Sequence, residues 1–510
     1  METYDYIAVE TYDYIVVGAG TAGCVVAARL SQDASVRVLV LEAGSAERTR
    51  AMTVPDAWPE NLGSPADWGY HTTPQADAGP GIYPRGRALG GSGAINAMAH
   101  VRGHRAIYDG WAASGAPGWS FADLLPYFRR TERADGRDPV LRGSAGPIRV
   151  APAADRHPAA RAFYDSLIAM GHPVTEDLSG PDQDGVTWLD LAISTGERVS
   201  SADAYLRPAM DRPNLVVQAG CLVTRLNVRA GRCTGVSYIR DGAGQAAAAS
   251  GEVILAAGAI GSPQLLMLSG IGPAGHLRDL GIDPVADIAA VGQNLQDHPM
   301  AMASYASPPE LPRSKYNNGE MYAALRSDLA SEVPDLQLFP ILLPMAPPGC
   351  EPPPAGFNLV ASVIAPYSRG SVRLASADPQ AAPLIDPRFL DDERDLDRLE
   401  AGLGMARQAA AGASFSSLRE SEAWPGPDVR TSAGIRDYIR RTVGSYYHPV
   451  GTCQMGTGPD TVVDTELRVR EVSGLRVADA SVMPAIPNAP TNATVLAIAE
   501  RAAELITGRQ

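Results

Sequence analysis

Apolar residues in the first part of the chain recur alternately at the spacing of strands and of helices. Residues 12–17 form a β-branched and aromatic run, and residues 22–30 carry apolar positions at helical spacing. Residues 36–41 (VRVLVL) are typical of a strand that is buried on both faces. This β–turn–α–β order predicts a parallel sheet with a right-handed crossover. Residues 58–84 are rich in Pro, Gly and Trp and predict a long loop.

The middle of the chain predicts further strands. Residues 215–218, 222–228 and 233–239 have the composition and turn spacing of a three-stranded antiparallel unit. Residues 252–257 predict another buried strand. We therefore expect the sheet structure to continue well beyond the first β–α–β unit.

The pattern changes again after residue 300. Several proline clusters lie within residues 301–356, and they exclude a continuous helix there. Residues 357–365 and 371–374 predict strands of a separate sheet. Helical periodicity returns in residues 393–411 and 493–506, of which the second predicts an amphipathic helix.

The composition is that of a large packed protein. The chain has 510 residues, of which 45% are hydrophobic and 20% charged, close to ordinary globular usage and far from that of disordered chains. This length predicts two or three domains or lobes, and 51 Gly with 42 Pro predict many tight turns within them. A net charge of −14 argues against nucleic acid as the main partner and against docking on anionic lipid.

The sequence predicts a cytoplasmic protein without a membrane span. No apolar run approaches the ~18–20 residues that a span needs, and the first residues, METYDY, lack the regions of a signal peptide. The cysteines are few, odd in number and scattered, so they indicate neither a disulfide framework nor a zinc site. We expect reduced thiols at Cys24, Cys221, Cys233, Cys350 and Cys453.

The hexapeptide ETYDYI occurs twice, at residues 2–7 and 10–15. The second copy runs directly into Val16, Val17 and Gly18, so it is the copy that can complete a strand. We therefore expect residues 1–9 to be a dispensable extension.

A glycine-rich loop follows the first predicted strand. Gly18, Gly20 and Gly23 form a G-x-G-x-x-G, whose glycines allow a tight turn, a close approach to a pyrophosphate and close helix–strand packing. Glu42 ends the next strand, where a carboxylate can accept from both hydroxyls of an unphosphorylated ribose. The pattern favours NAD or FAD over NADP and predicts contacts from Gly18, Gly20, Thr21, Ala22, Gly23, Glu42 and Ala43.

Longer segments decide between these two cofactors. Residues 86–96 (GRALGGSGAIN) and 258–272 (GAIGSPQLLMLSGIG) resemble two signatures of the glucose–methanol–choline (GMC) oxidoreductases, a family of FAD enzymes. Residues 447–456 and 474–481 resemble the catalytic and flavin-binding blocks of the same family. The resemblance runs from about Tyr12 to the C-terminus and implies FAD as the cofactor.

The resemblance also implies a fold and a domain organisation. The expected class is α/β (α+β overall), with a Rossmann-type FAD-binding domain interrupted by a substrate-binding domain built on an antiparallel sheet with helices. We expect the FAD-binding domain to comprise residues 10–150, 190–300 and 445–510. The substrate-binding domain is expected to comprise residues 151–189 and 301–444.

Further FAD contacts follow from the matched segments. A Gly-Gly-Ser-Gly loop lets the backbone approach a flat ring and supplies amides to it. Val223 is expected near the adenine, Asn96 near the flavin or substrate, and Asp479 in a segment that reaches the ribityl chain and pyrophosphate. Asn96 could instead cap the next turn, and Asp479 could be an ordinary helix cap. The full set is Arg87, Gly90, Gly91, Ser92, Asn96, Val223, Ala257, Asp479 and Ala480.

The chain departs from some relatives in one respect. Those relatives attach the flavin covalently through a His directly before the signature Asn, where this chain has Ile95. The resemblance therefore implies non-covalent FAD. His100 lies near the flavin loop, where it could contact the ring or the substrate or serve a structural role.

The expected catalytic pair is His448 and Asn492. Pro449 restricts His448 to extended backbone geometry, which can hold its imidazole toward one spot. By resemblance, His448 is the base that accepts the hydroxyl proton of an alcohol, and Asn492 binds the substrate oxygen while hydride passes to flavin N5. Asn492 could also be the N-cap of the last helix.

The implied reaction is the oxidation of a primary alcohol, with an aryl or heteroaryl alcohol as the favoured substrate, to the aldehyde. A choline-type dehydrogenase, a non-redox hydroxynitrile lyase of the same family and a NAD-dependent dehydrogenase are the alternatives. Oxygen or a quinone is the expected electron acceptor, and neither a metal nor an oligomeric state is indicated. Aromatic side chains could stack on an aryl alcohol or enclose a quaternary ammonium, with the first candidates being Trp58, Tyr446 and Tyr447.

Overall fold

The computed structural model describes residues 10–328 and 331–508. The segment predicted to be dispensable, residues 1–9, lies outside the described residues. The fold has mixed helix and sheet, as expected, and its two largest sheets each contain seven strands. We call them the mixed sheet and the antiparallel sheet.

The mixed sheet contains the predicted β–α–β unit. Its first strands pair in parallel, with Tyr14 opposite Val38 and Ile15 opposite both Leu39 and Val253. The side chains of these strands are buried on both faces, which explains their continuous apolar runs. In spatial order the strands are Leu215–Gln218, Val38–Leu41, Thr11–Val17, Ala243–Leu255, Arg232–Arg240 and Cys221–Arg229, with Leu475–Val477 paired to the end of Ala243–Leu255.

The predicted three-stranded antiparallel unit was wrong in one strand. Leu215–Gln218 pairs in parallel with Val38–Leu41, at the opposite edge of the sheet from Cys221–Arg229. The side-chain amide of Asn214 donates to the carbonyls of Ser31, Asp33 and Val36, and these bonds tie the start of the strand to the first β–α–β unit. The third antiparallel strand is instead Ala243–Leu255, whose end is the predicted strand 252–257.

The antiparallel sheet draws its strands from distant parts of the chain. Two of them lie inside the proline-rich segment 301–356, for which no strand was predicted. The predicted strand at 371–374 lies outside this sheet, because Ser371–Arg373 pairs only with Leu384–Asp386. In spatial order the strands are Ser421–Trp424, Pro299–Ala306, Gly356–Val363, Leu336–Ile341, Met321–Leu325 and Gly185–Trp188, with Gly444–Ser445 paired to Pro299–Ala306.

The predicted loop 58–84 contains short regular elements. A 3-10 turn covers Pro55–Asn61, and a two-stranded ladder joins Tyr70–His71 to Ile82–Tyr83. Other short ladders join Ile193–Ser194 to Glu197–Arg198, Ile271–Gly272 to Ala286–Asp287, Glu132–Arg133 to Ile148–Arg149, and Ala151–Pro152 to Asp190–Leu191.

Helices cover the sheets and connect them. The first and last helices, Thr21–Leu30 and Asn492–Thr507, pack together, and a salt bridge of 2.7 Å joins Arg29 to the buried Glu500. Glu393–Ala410 packs on the antiparallel sheet. The remaining α-helices are Arg50–Thr53, Ser92–Ile95, Arg105–Ala113, Phe121–Thr131, Pro158–Ala169, Gly258–Leu268, Ala274–Asp279 and Ser432–Thr442.

The boundaries proposed for the two domains stay a prediction. Across the described ranges, no helix has both the length and the apolar character that crossing a membrane requires.

Candidate active site

A cavity of about 580 Å³ lies between the loops of the mixed sheet and strands of the antiparallel sheet. Nearly all the predicted site residues line it. The exceptions are Gly23 and Gly90, which pack behind its wall. The predicted residues in the wall are Gly18, Gly20, Thr21, Ala22, Glu42, Ala43, Trp58, Arg87, Gly91, Ser92, Asn96, Val223, Ala257, Tyr446, Tyr447, His448, Asp479, Ala480 and Asn492.

Close backbone packing explains the glycines of the first loop. Gly18 has φ +94°, and a Cβ atom there would lie 2.7 Å from the carbonyl oxygen of Ala256. A Cβ on Gly23 would lie 1.8 Å from the oxygen of Gly18, so the helix meets the strand only if this residue is Gly. Each carboxylate oxygen of Glu42 accepts one loop amide at 2.8 Å, from Ala19 and from Gly44.

The loop of residues 86–96 packs directly on the first. Gly91 has φ +53°, and its Cβ would lie 2.7 Å from the Cα of Gly20. A Cβ on Gly93 would lie 2.8 Å from Oγ1 of Thr21. The two loops therefore form a continuous wall of backbone with almost no side chains, which a flat ring and a pyrophosphate can approach closely.

Asn96 and Asp479 both make the local bonds that were the alternatives to a ligand role. Oδ1 of Asn96 accepts from the amide of Met98 at 2.9 Å. Asp479 caps the 3-10 turn Ala480–Val482, and its oxygens also accept from Gly258 and Ser262. The Asp479 carboxylate therefore positions the loops whose backbone lines the cavity.

His100 lies outside the cavity wall. It is buried, and its Nε2 lies 3.0 Å from Oε2 of Glu132. Glu132 also pairs with the buried Arg102 and Arg142. Burial opposes the charge of Glu132, but these cations hold its pKa well below the usual range. The structure therefore gives His100 a structural role in a buried ionic cluster.

The glycine wall and the donor set fit FAD. Backbone amides and carboxylate-braced turns line part of the cavity, together with Val223 of the antiparallel unit. The N–H of Cys221, at the start of the same strand, donates to the carbonyl of Glu42 at 2.8 Å. These groups suit a dinucleotide, whereas His448 and aromatic rings line the rest of the cavity. Among the described residues, no cluster of His, Cys, Asp and Glu has the geometry to hold a metal ion.

His448 is held by two consecutive residues from a distant part of the chain. Its backbone N–H donates to Oδ1 of Asp297 at 2.8 Å, and its Nδ1 lies 3.0 Å from Nδ1 of His298. Asp297 is buried and also accepts from the hydroxyls of Tyr83 (2.7 Å) and Ser445. The buried carboxylate thus fixes the backbone of His448, while His298 fixes its ring.

The contact between the two rings limits where the protons lie. One Nδ1 must donate and the other accept, because two lone pairs would repel. Nε2 of His298 is buried and makes no hydrogen bond among the described residues. Two tautomeric arrangements satisfy the contact, with either His448 or His298 as the donor. When Nδ1–H of His448 donates, a lone pair is left on Nε2 of His448, which has no protein hydrogen bond within the described residues.

The surroundings keep both rings neutral. Burial lowers the pKa of His298 to about 3. Burial, His298 and the guanidinium of Arg85 together lower the pKa of His448 well below its usual range. A neutral imidazole with a free lone pair in the cavity wall is a proton acceptor.

Asn492 is the first residue of the last helix, and Thr491 is the N-cap, so the alternative role of Asn492 as the N-cap was wrong. Oδ1 of Asn492 accepts from the hydroxyl of Thr21 at 2.8 Å. Since the oxygen is occupied, the side-chain N–H groups are the part of Asn492 left for the cavity. Asn492 can therefore donate to a substrate oxygen.

Aromatic rings form the opposite wall, beside His448. The ring of Tyr446 stacks on Phe339 at 4.5 Å, and its centroid lies 4.3 Å from that of His448. The hydroxyls of Tyr446 and Tyr322 are hydrogen-bonded to each other. Trp58 also lines the cavity and donates its indole N–H to the carbonyl of Asn317 at 2.8 Å. This wall can stack on a flat substrate.

The charges in the wall are unevenly distributed. Among the described lining residues, the carboxylates are Glu42 and Asp479, both occupied by loop amides. Arg85 lies beside the histidines, and one of its Nη atoms donates to the carbonyl of Tyr447, a residue with φ +67°. Burial lowers the pKa of Arg85, and Asp297 opposes that effect. The cavity near His448 is therefore aromatic, with Arg85 as a cation in the wall and the buried carboxylate of Asp297 next to it.

Sequence reasoning missed Arg85, Asp297 and His298. One signal was available for His298, because a proline follows it as Pro449 follows His448. The contacts of Arg85 with Tyr447 and of Asp297 with His448 join residues distant in sequence, and no local pattern indicates them.

Comparisons with known proteins show the family of the chain. Two models described as GMC oxidoreductase match residues 12–300 and 366–499. The chain is 38% identical to the mitochondrial choline dehydrogenase of Homo sapiens, over 97% of this chain and 89% of that protein. It is 36% identical to an oxygen-dependent choline dehydrogenase of Sinorhizobium medicae, over 97% of this chain and 95% of that protein.

A solved structure agrees as well. The pyridoxine 4-oxidase of Mesorbium loti superposes with a TM-score of 0.94 at 34% identity, over 98% of this chain and 100% of that one. Sequence and fold lead to the same family. The chain belongs to the GMC oxidoreductases, an FAD-dependent family of enzymes that act on CH–OH groups.

Proposed function

We propose that this protein oxidises a neutral primary alcohol, of aryl or heteroaryl type, to the aldehyde with non-covalent FAD. The observation that carries the proposal is Nε2 of His448, which makes no hydrogen bond with a described residue and belongs to a cavity wall that also holds an aromatic surface and Asn492. We assign Nδ1–H of His448 as the donor to His298, which leaves the lone pair on Nε2. Ile95 lines the cavity directly before Asn96 and offers no nucleophile for a covalent bond to the flavin.

Each group has one task in the reaction. When bound, FAD supplies the acceptor for the carbinol hydride. His448 accepts the hydroxyl proton at Nε2, and Nδ1–H continues to donate to His298, which holds the resulting imidazolium in place. Asn492 donates to the substrate oxygen and so fixes the direction of the carbinol C–H bond. The N-terminal end of helix Asn492–Thr507 also lines the cavity and favours negative charge there.

The charges near His448 favour a neutral substrate. A quaternary ammonium ion needs a carboxylate or an electron-rich cage to replace its water. The cation in this part of the wall is Arg85, and Met300 contributes an apolar side chain to it. The nearby carboxylate of Asp297 lies outside the wall and already accepts from Tyr83, Ser445 and the N–H of His448. A neutral aryl alcohol can instead stack against Tyr446 and Phe339.

A choline-type activity is the second candidate. It is favoured by identities of 36–38% to choline dehydrogenases over nearly the whole chain. It is also favoured by the aromatic rings of Trp58, Trp68 and Tyr70, which line the cavity and can attract a cation. Anaerobic reduction of the bound flavin by pyridoxine, benzyl alcohol and choline separates the two candidates. If choline reduces the flavin faster than both aryl substrates do, the choline-type activity becomes the first candidate.

The test of the chemistry is His448→Ala. We expect it to slow flavin reduction in anaerobic single turnovers by about 10²–10⁴-fold while FAD remains bound, because only the base is removed. His276→Ala is the matched control, since His276 lies at Arg373 away from the cavity wall. A rate of flavin reduction in His448→Ala within threefold of the wild-type rate would refute the role of His448 as the base. A flavin that no alcohol reduces, in a protein that cleaves hydroxynitriles, would favour the lyase.

The electron acceptor, oxygen or a quinone, and the cytoplasmic location stay predictions. Reoxidation of the reduced protein by air and by a quinone in parallel measures the first of these directly.

A further inference from the structure

Arg198 is a buried cation without an ionic partner. It ends the strand Glu197–Arg198, its relative exposure is 2%, and it forms no ion pair with any described residue. Other buried arginines pair with a glutamate, as Arg142 does with Glu132 and Arg476 with Glu252. A guanidinium that stays charged in such surroundings is costly, so its environment requires an explanation.

The contacts of Arg198 lead to the cavity wall. Its Nε donates to the carbonyl of Met52 at 2.8 Å, and its Nη1 donates to Oδ1 of Asn96 at 2.7 Å and to the carbonyl of Gly93 at 3.4 Å. Nη2 is buried and has no hydrogen-bond partner in the part of the chain that the structure describes. Asn96 and Gly93 line the cavity, so the guanidinium lies directly behind the wall that they form.

Arg198 also determines which way the amide of Asn96 is turned. Oδ1 of Asn96 accepts from two donors, Arg198 and the backbone N–H of Met98 at 2.9 Å. An amide nitrogen at that position would face both donors with no lone pair, so the assignment of oxygen is forced. The side-chain N–H groups of Asn96 are therefore left for the cavity.

We propose that Arg198 is a positioning residue for the flavin, which fixes Asn96 as a hydrogen-bond donor and holds a positive charge behind the wall. This inference rests on the proposed binding of FAD. Reduction adds negative charge to a flavin, and a fixed cation and an oriented N–H dipole stabilise such charge in a site of low dielectric. Burial, which Asp203 only partly offsets, lowers the pKa of Arg198, as expected of a charge held for such a purpose.

The test compares Arg198→Met with Arg198→Lys and Arg476→Met. Each holoenzyme is equilibrated with a redox dye, and FAD per chain, thermal midpoint and visible spectrum are recorded alongside. For Arg198→Met we expect the ratio of reduced to oxidised flavin at a fixed dye potential to fall about tenfold, which is about 30 mV for a two-electron couple. Arg198→Lys keeps the positive charge but lacks the planar set of N–H donors of a guanidinium. Its ratio of reduced to oxidised flavin should therefore stay within about threefold of the wild-type ratio, while the flavin spectrum shifts. Arg476→Met removes a buried arginine that does not line the cavity and pairs with Glu252, so it should lower the thermal midpoint without changing the ratio.

Two results would overturn the inference: a wild-type ratio in Arg198→Met, or an equal fall of the ratio in Arg476→Met. If Arg198→Met does not retain FAD, Arg198→Gln decides, because it keeps a donor for Asn96 and lacks the charge. A fall of the ratio in Arg198→Gln supports the inference, and a wild-type ratio overturns it. Absence of FAD from the wild-type protein would instead refute the proposed function.

Discussion

The Nδ1 atoms of His298 and His448 lie 3.0 Å apart, and only one of them carries a hydrogen. His448 is thus a base that a second group orients. That group is the neutral imidazole of His298, where a carboxylate often serves. A neutral partner orients the ring of His448 without raising its pKa as a carboxylate would.

The first prediction concerns His298. In His298→Leu the ring of His448 loses its orienting bond, and we expect flavin reduction to slow by about 10–100-fold with FAD content unchanged. His298→Asn keeps an oxygen that can accept from Nδ1–H of His448, so its rate should lie between those of the leucine variant and the wild type. Stopped-flow reduction measures both, and a leucine variant that equals the wild type would exclude an orienting role.

The second prediction concerns pH. His448 must be neutral to accept a proton, and its pKa is lowered, so kcat/KM should persist below pH 6.5, the ordinary value for His, and fall only as the pH drops through the lowered pKa. Arg85→Met removes a cation that contributes to this lowering. In this variant, the fall of kcat/KM on the acid side of the pH profile should therefore occur at higher pH than in the wild type. A fall that moves to lower pH, or stays in place, would contradict the charge effect.

The third prediction concerns the glycine wall. Gly18→Ala places a Cβ 2.7 Å from the oxygen of Ala256, so the loop must shift, and we expect a loss of bound FAD of at least tenfold. Gly242→Ala is the control, because Gly242 also has a positive φ (+77°) but has open space around its Cα. The ratio of flavin to protein absorbance measures the FAD content of each variant. Equal FAD content in the two variants would show that the loop accommodates the added Cβ without loss of binding.

The fourth prediction concerns the buried ionic cluster. Glu132→Ala leaves Arg102 and Arg142 buried without their shared partner, and we expect a loss of about 3–5 kcal/mol in the free energy of unfolding. The exposed pair of Glu60 and Arg50 provides the contrast, since Glu60→Ala should cost at most about 1 kcal/mol. Denaturant unfolding followed by tryptophan fluorescence distinguishes these magnitudes.

The parts of the site that could be predicted are those fixed by local constraints. Gly18 and Gly23 meet backbone atoms near them in sequence or in the adjacent strand, so their spacing carries the information. Pro449 restricts His448 in the same local way. His298 depends on a partner 150 residues away, and no periodicity encodes such a distance.

The fold shows the same limit. Leu215–Gln218 was predicted as a strand, but its apolar run does not say which edge of the sheet it joins, and the hydrogen bonds of the Asn214 side chain to the first β–α–β unit lie at the edge it takes. Met321–Leu325 and Leu336–Ile341 are fully buried runs without alternation, and the prolines of the segment, one of them inside the second strand, obscured them. The pattern of apolar residues thus lacks the information about which strands pair with each other.

The antiparallel sheet supplies the wall on which a substrate would stack, while the loops of the mixed sheet supply the wall for the cofactor. Phe339 and Ile341 alternate along one strand toward the cavity, and Met300 and Tyr322 extend the same surface from two others. Evolution or a designer can therefore exchange these few side chains without touching the glycine loops. A combinatorial library confined to Met300, Tyr322, Phe339 and Ile341 should change which alcohols are accepted and leave the flavin bound.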